Sequence, residues 1–189
     1  MYHNIARLNA LVTVGLCGLL LVGANTAHAE KADRSLPIQI EADQAQLDQL
    51  KNVTVYSGNV IATQGTSRLT ANKVTVTQDV AGNQYMIALG VPGTPATFKQ
   101  RLDTKDDNGK EQWMNGYGDR IDYDSANHLV KIFDNGYVRG GKGDTVTGNT
   151  IVYDTEKEQF QASGLRNDAP AAKGGRVTVI IQPKPKAAP

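Results

Sequence analysis

The sequence predicts an all-β protein built by stacking antiparallel strands, and three observations predict it. A seven-residue pattern (small, Asp/Asn, any, apolar, any, apolar, Asp/Thr) recurs four times, beginning at Ala42, Ala71, Gly118 and Gly148. The copies start 29, 47 and 30 residues apart, and Gly58, Gly90, Gly136 and Gly164 follow them at similar distances. Self-similarity on that scale marks supersecondary units stacked on one another. Apolar and polar residues alternate within each copy, the period of a half-buried strand. No window carries a helical apolar stripe, and valine and threonine, which suit a pleated surface, dominate the alternating segments.

The strands follow in order. Leu36 to Ala42 places Leu36, Ile38, Ile40 and Ala42 on one face, with Pro37, Gln39 and Glu41 on the other. Gln44 to Leu50 has helical propensity but is too short for a helix between strands. Val53 to Tyr56 leads through Ser57-Gly58-Asn59, a turn or bulge signal, into Val60 to Thr63. Leu69 to Thr77 and Arg120 to Tyr123 alternate across the second and third copies. His128 to Phe133 precedes Asp134-Asn135-Gly136, where Asn-Gly signals a hairpin. Thr150 to Asp154, Gln159 to Ala162 and Arg176 to Gln182 complete the series. Gly90 to Pro95 is a connection, because its prolines cannot serve a central ladder. Asp103 to Gly109 reads as a charged loop that accounts for the 47-residue spacing. At roughly ten residues per strand and turn, about 14–16 strands are expected.

The chain has 189 residues. Its first 29 read as an export signal: Arg7 is the only charge, Ala10 to Val22 is apolar, and Ala27-His28-Ala29 fits the small-x-small cleavage rule. The apolar run is shorter than the ~20 residues a membrane span needs. Residues 30–182 are then a single domain, and the Pro- and Lys-rich residues 183–189 a disordered tail. The exported part has no cysteine, and its Lys and Arg balance its Asp and Glu. Nothing in that charge balance recruits nucleic acid.

In each unit one row of side chains points inward. That row is expected to include Ile40, Leu47, Val74, Val76, Ile121, Tyr123, Ile151 and Tyr153. Ile38, Tyr56, Val60, Leu69, Phe98, Leu129, Ile132 and Phe160 are further candidates for the same apolar surface. These residues either fill a closed core or leave space between two β-layers for hydrocarbon. A dozen methylenes buried there would contribute up to ~10 kcal/mol before ordering costs. The first strand (Ile38, Ile40) and the last (Val177, Val179, Ile181) are candidate unpaired edges, where a second chain or a partner could continue the stack.

Catalytic motifs fail. Gly136 to Lys142 matches a phosphate loop, but Gly143 stands where Ser or Thr is required and no helix follows. His128, the one histidine of the exported part, has no nucleophile elbow to serve. Asp103, Asp106, Asp107 and Asn108 lack the spacing of a calcium loop. No cofactor and no metal is expected. Paired carboxylates such as Asp122 and Asp124 could act on a glycan. The aspartates at repeat positions (Asp43, Asp48, Asp119, Asp124, Asp154) read better as turn and edge residues.

The segments Pro37 to Asp43, Gly58 to Gly65, Ala71 to Val74 and Gly93 to Phe98 resemble the periplasmic lipopolysaccharide-transport proteins of the LptA type, an OstA-like β-jellyroll family. The resemblance covers Leu36 to Gln182; Asp103 to Gly109 and the stretch to Trp113 depart from it. It implies an open, V-shaped β-jellyroll without enzymatic activity that holds the acyl chains of lipid A. Ile38, Ile40, Phe98 and Tyr123 would line the groove. The partners implied are lipopolysaccharide, an LptC-type inner-membrane protein, an LptD-type outer-membrane protein and further copies of the chain, in the periplasm. An LptC-like protein, a structural filament without lipid, and a carbohydrate-active enzyme are the alternatives.

Overall fold

The structure, a computed structural model, describes Asp33, residues 35–164 and residues 175–183. It contains twelve antiparallel strands: β1 (Gln39–Glu41), β2 (Gln44–Asp48), β3 (Val53–Gln64), β4 (Ser67–Gln78), β5 (Gln84–Leu89), β6 (Ala96–Lys105), β7 (Glu111–Gly118), β8 (Arg120–Asp124), β9 (Leu129–Arg139), β10 (Thr145–Asp154), β11 (Gln159–Ser163) and β12 (Thr178–Ile180). The expected export signal lies outside the described residues, as does the tail beyond Pro183.

Four long strands organise the fold. The first half of β3 pairs with β2 and the second half with β1. The two halves of β4 likewise take β6 and β5. β9 divides between β8 and β7, and β10 between β12 and β11. Each long strand therefore passes through two layers. The first layer runs β2-β3-β4-β5-β8-β9-β10-β11, and the second β1-β3-β4-β6-β7-β9-β10-β12. This is the expected all-β jellyroll. The described residues form twelve continuous strands against the expected 14–16, and the four long ones turn the corner without breaking.

The corners explain the repeat. The β3–β4 register slips between Ser57 and Val60, and the β9–β10 register between Gly148 and Thr150. At the first slip Gly58 and Asn59 have positive φ, and Asn59 Nδ2 donates to Asp43 Oδ2 at 2.9 Å. Along β9, Asp134 and Asn135 have positive φ, and Asn135 Nδ2 donates to Asp119 Oδ2 at 2.9 Å. The Asp at the second pattern position thus latches the bend. The pattern's last Asp accepts turn amides instead: Lys51 N on Asp48, Asn127 N on Asp124, and Glu156 and Lys157 N on Asp154.

Gln44 to Asp48 is a strand, as the alternation of the first repeat requires, and it pairs with β3. One sequence expectation is corrected here. The Asp103–Gly109 loop shrinks to a turn at Asp106–Gly109, because β6 runs on to Lys105 and β7 starts at Glu111. The insertion behind the 47-residue spacing is therefore a hairpin in the second layer, and β5, β6 and β7 are the strands that sequence patterning passed over.

Candidate functional site

The registers join inward residues into rows that cross each layer. In the first layer one row reads Ala45, Tyr56, Val74, Ala88, Ile121, Ile132, Ile151, Ala162. Its neighbour reads Leu47, Thr54, Val76, Met86, Tyr123, Val130, Tyr153, Phe160. The facing row of the second layer reads Ile40, Ala62, Leu69, Phe98, Gly116, Val138, Val146, Val179. Members of all three rows share one core.

That core divides into a solid part and an open part. Val60, Val74, Ile132 and Ile151 have at most 1% of their surface exposed and fill the solid part. The open part is a cleft between the layers that opens to solvent. Leu69 and Phe98 line it from the second layer, and Met86, Ile121, Tyr123 and Val130 from the first. Ile38, just before β1, lines it as well. Gly116 makes room for the Phe98 ring: a Cβ there would stand 2.6 Å from Phe98 Cε1 and 2.4 Å from the carbonyl oxygen of Tyr137. A second cleft of about 480 Å³ includes Leu102, Met114, Tyr153 and Phe160, whose last two rings stack at 4.3 Å.

Of the residues expected at the apolar surface, Ile38, Leu69, Phe98, Ile121 and Tyr123 meet at the first cleft, and Tyr153 and Phe160 at the second. Ile40, Tyr56 and Val76 are half-buried against the core, outside both clefts. Leu47 and Phe160 end their row at opposite edges of the first layer, 60% and 40% exposed. Leu129 requires a correction. It stands in register with Asp124 and Asp154 on the outer face, and Val130 takes the inward place. Leu129 and Ile132 are three apart and cannot share a strand face. Met86 and Val130 were missed; the alternation through Tyr85-Met86-Ile87-Ala88 is the signal that finds the first.

The cleft mouth is polar. Arg68, Lys99, Gln64 and Ser67 stand at it. Buried Asp33 accepts from Thr66 N at 2.8 Å and from its hydroxyl at 2.5 Å. On the opposite outer face Arg120 grips Asp122 through Nε and a terminal nitrogen, both at 2.6 Å, and Tyr85 donates its hydroxyl to the same carboxylate at 2.7 Å. Asp122 is 3% exposed beneath them. Asn127 occupies both oxygens of Asp124. The two carboxylates are engaged in structure rather than presented to a glycosidic bond. Among the described residues no cluster of His, Cys, Asp and Glu could hold a metal ion.

Among the described residues, β1 and β2 pair only with β3, and β11 and β12 only with β10, so each end of the stack presents strand edges. Val177, Val179, Ile180 and Ile181 lie exposed on or beside β12.

Comparison with known proteins places these features in a family. The profile described as LptA/(LptD N-terminal domain) LPS transport protein matches residues 39–159. The lipopolysaccharide export system protein LptH of Pseudomonas aeruginosa is 34% identical over 166 residues, covering 88% of this chain and 90% of that protein. The lipopolysaccharide export system protein LptA of Escherichia coli is 34% identical over 168 residues (89% and 83%), and that of Haemophilus influenzae 32% over 164 residues (87% of each). The crystal structure of LptH from Pseudomonas aeruginosa, described as the LptA-homologous periplasmic component of the lipopolysaccharide transport device, superposes with a TM-score of 0.68. It is 33% identical, and the match covers 80% of this chain and 99% of that one.

Proposed function

Because the chain belongs to the LptA/LptD N-terminal domain family of lipopolysaccharide-transport proteins, we propose that it is a periplasmic carrier that shelters the acyl chains of lipid A in the cleft between its layers. It is a carrier and not an enzyme. The observation that carries this reading is the apolar cleft flanked by Leu69, Phe98, Met86 and Tyr123, open at a mouth ringed by polar side chains. Hydrocarbon gains about 0.8 kcal/mol for each methylene it hides there. Phosphates and sugars remain at the mouth, where burying them would cost free energy without compensating bonds.

The open edges support a second element of the reading. The β1/β2 edge of one copy adds to the β11/β12 edge of the next, so the apolar rows run on from molecule to molecule. At the ends of such a stack the same pairing joins an LptC-type protein of the inner membrane and an LptD-type protein of the outer membrane. Main-chain hydrogen bonds supply the affinity of such strand addition, and the row-end side chains Leu47, Phe160 and Val179 its fit.

Photo-crosslinking tests the cargo. A photoreactive residue at Phe98 or Tyr123 is expected to capture lipopolysaccharide, whereas one at Val80, exposed in a turn, is not. Equal capture at all three positions, or none at the first two, would sink the reading.

A further inference from the structure

Cations stand on both outer faces. Some are paired: Arg120 with Asp122, Lys157 with Asp154 and Lys51 with Asp48 around the first layer, and Arg101 with Glu111 on the second. On the outer face of the second layer the register sets Arg68 of β4 opposite Lys99 of β6, then Asn115 of β7, then Arg139 of β9. Among the described residues none of these three cations has an ion-pair partner. The row starts at the mouth of the cleft lined by Leu69 and Phe98, where Arg68 and Lys99 both stand. It spans three inter-strand steps, roughly 14 Å at ~4.8 Å per step. Lys99 is held in place by lying over the Trp113 ring, its Nζ 4.5 Å from the centroid.

We propose that this row, Arg68–Lys99–Arg139, is the head-group site of the carrier: it binds the phosphates of the sugar whose acyl chains occupy the adjoining cleft. The proposal rests on the carrier reading and adds where the charged end goes. Three aligned cations spread over that length suit a disaccharide with a phosphate at each end better than a lone phosphate. Arginine offers a fork of N–H donors to phosphate oxygens, and lysine a compact charge. The surface is exposed, so each contact is modest and its strength falls with salt. The polar outer face keeps the head group in water while the chains leave it.

The test uses the full exported chain with two probes, hexa-acylated diphosphoryl lipid A and the same lipid chemically stripped of phosphate. Three exposed ion pairs of ordinary strength predict that R68Q/K99Q/R139Q binds the diphosphoryl lipid roughly tenfold more weakly. Affinity for the stripped lipid is expected to stay within about twofold. A matched triple, K51Q/K131Q/K157Q, removes the same charge from the first-layer side and is expected to discriminate between the lipids as the wild type does. Trp113 is the only tryptophan in the chain, so its emission reports directly on Lys99. It is expected to shift with the diphosphoryl lipid and to stay fixed with the stripped one. Equal losses on both lipids, an equal loss in the matched triple, or a wild type indifferent to phosphate would overturn the head-group site and leave the carrier intact. A wild type that binds neither lipid would overturn both.

Discussion

Tyr85 donates its hydroxyl to Asp122, and that contact sets how the outer face answers to alkali. The hydrogen bond to the carboxylate raises the Tyr85 pKa above the usual tyrosine range, with burial and the Asp122 charge adding to it. A raised folded-state pKa contributes stability that is full below the unfolded value of about 10 and disappears as pH climbs through the folded value. Tyr85→Phe is therefore expected to lower the melting temperature at pH 8, with the gap to wild type narrowing above about pH 10. Asp124 and Asp154 behave in the opposite sense. The side chain of Asn127 lowers the first and that of Lys157 the second. Their contribution is present above about pH 4 and disappears as pH falls through the lowered values. Thermal melts from pH 3 to 11 read both limbs. The Asp residues of the repeat were legible in the sequence as turn residues. The Arg120–Asp122–Tyr85 clamp was not, because Tyr85 reaches Asp122 only through the β5–β8 pairing.

At the scale of the element, the edge strands decide whether copies join. β12 is three residues long and leans on β10 alone, with Val179 54% exposed at the end of an inward row. Val179→Lys puts a charge into the proposed joint while removing little from the monomer's core. The expected outcome is a smaller average mass in light scattering of concentrated protein, with the melting temperature of dilute protein nearly unchanged. Wild-type protein that stays monomeric at every concentration would shift the joint to heterologous partners. Sequence patterning found these strands as edges because they are the first and last in the chain. Their companions β2 and β11 are edges of the other layer, a consequence of β3 and β10 each serving both layers. The end of β6 was read as part of a loop from Asp103 to Gly109, since its charges Asp103 and Lys105 look like loop residues when they lie on a strand that faces water.

For the whole molecule, a guest in the cleft stabilises the folded state by mass action. Lipid at a hundredfold excess over its dissociation constant adds ~2.7 kcal/mol, which for a chain of this size raises the melting temperature by roughly 5–10 °C. An unchanged melting temperature at saturating lipid A is the result that excludes a resident cargo. The sequence by itself determined the class of the fold, its repeated unit and the inward rows, because strand alternation and the Asp latches are local signals written in consecutive residues. Which inward residues meet a guest was decided by the tertiary structure alone. Val76 and Tyr123 occupy equivalent places in two copies of the pattern, yet Val76 packs against the core and Tyr123 faces the cleft. The difference arises from where the layers separate, and that separation depends on bends and cross-layer contacts between residues far apart in the chain.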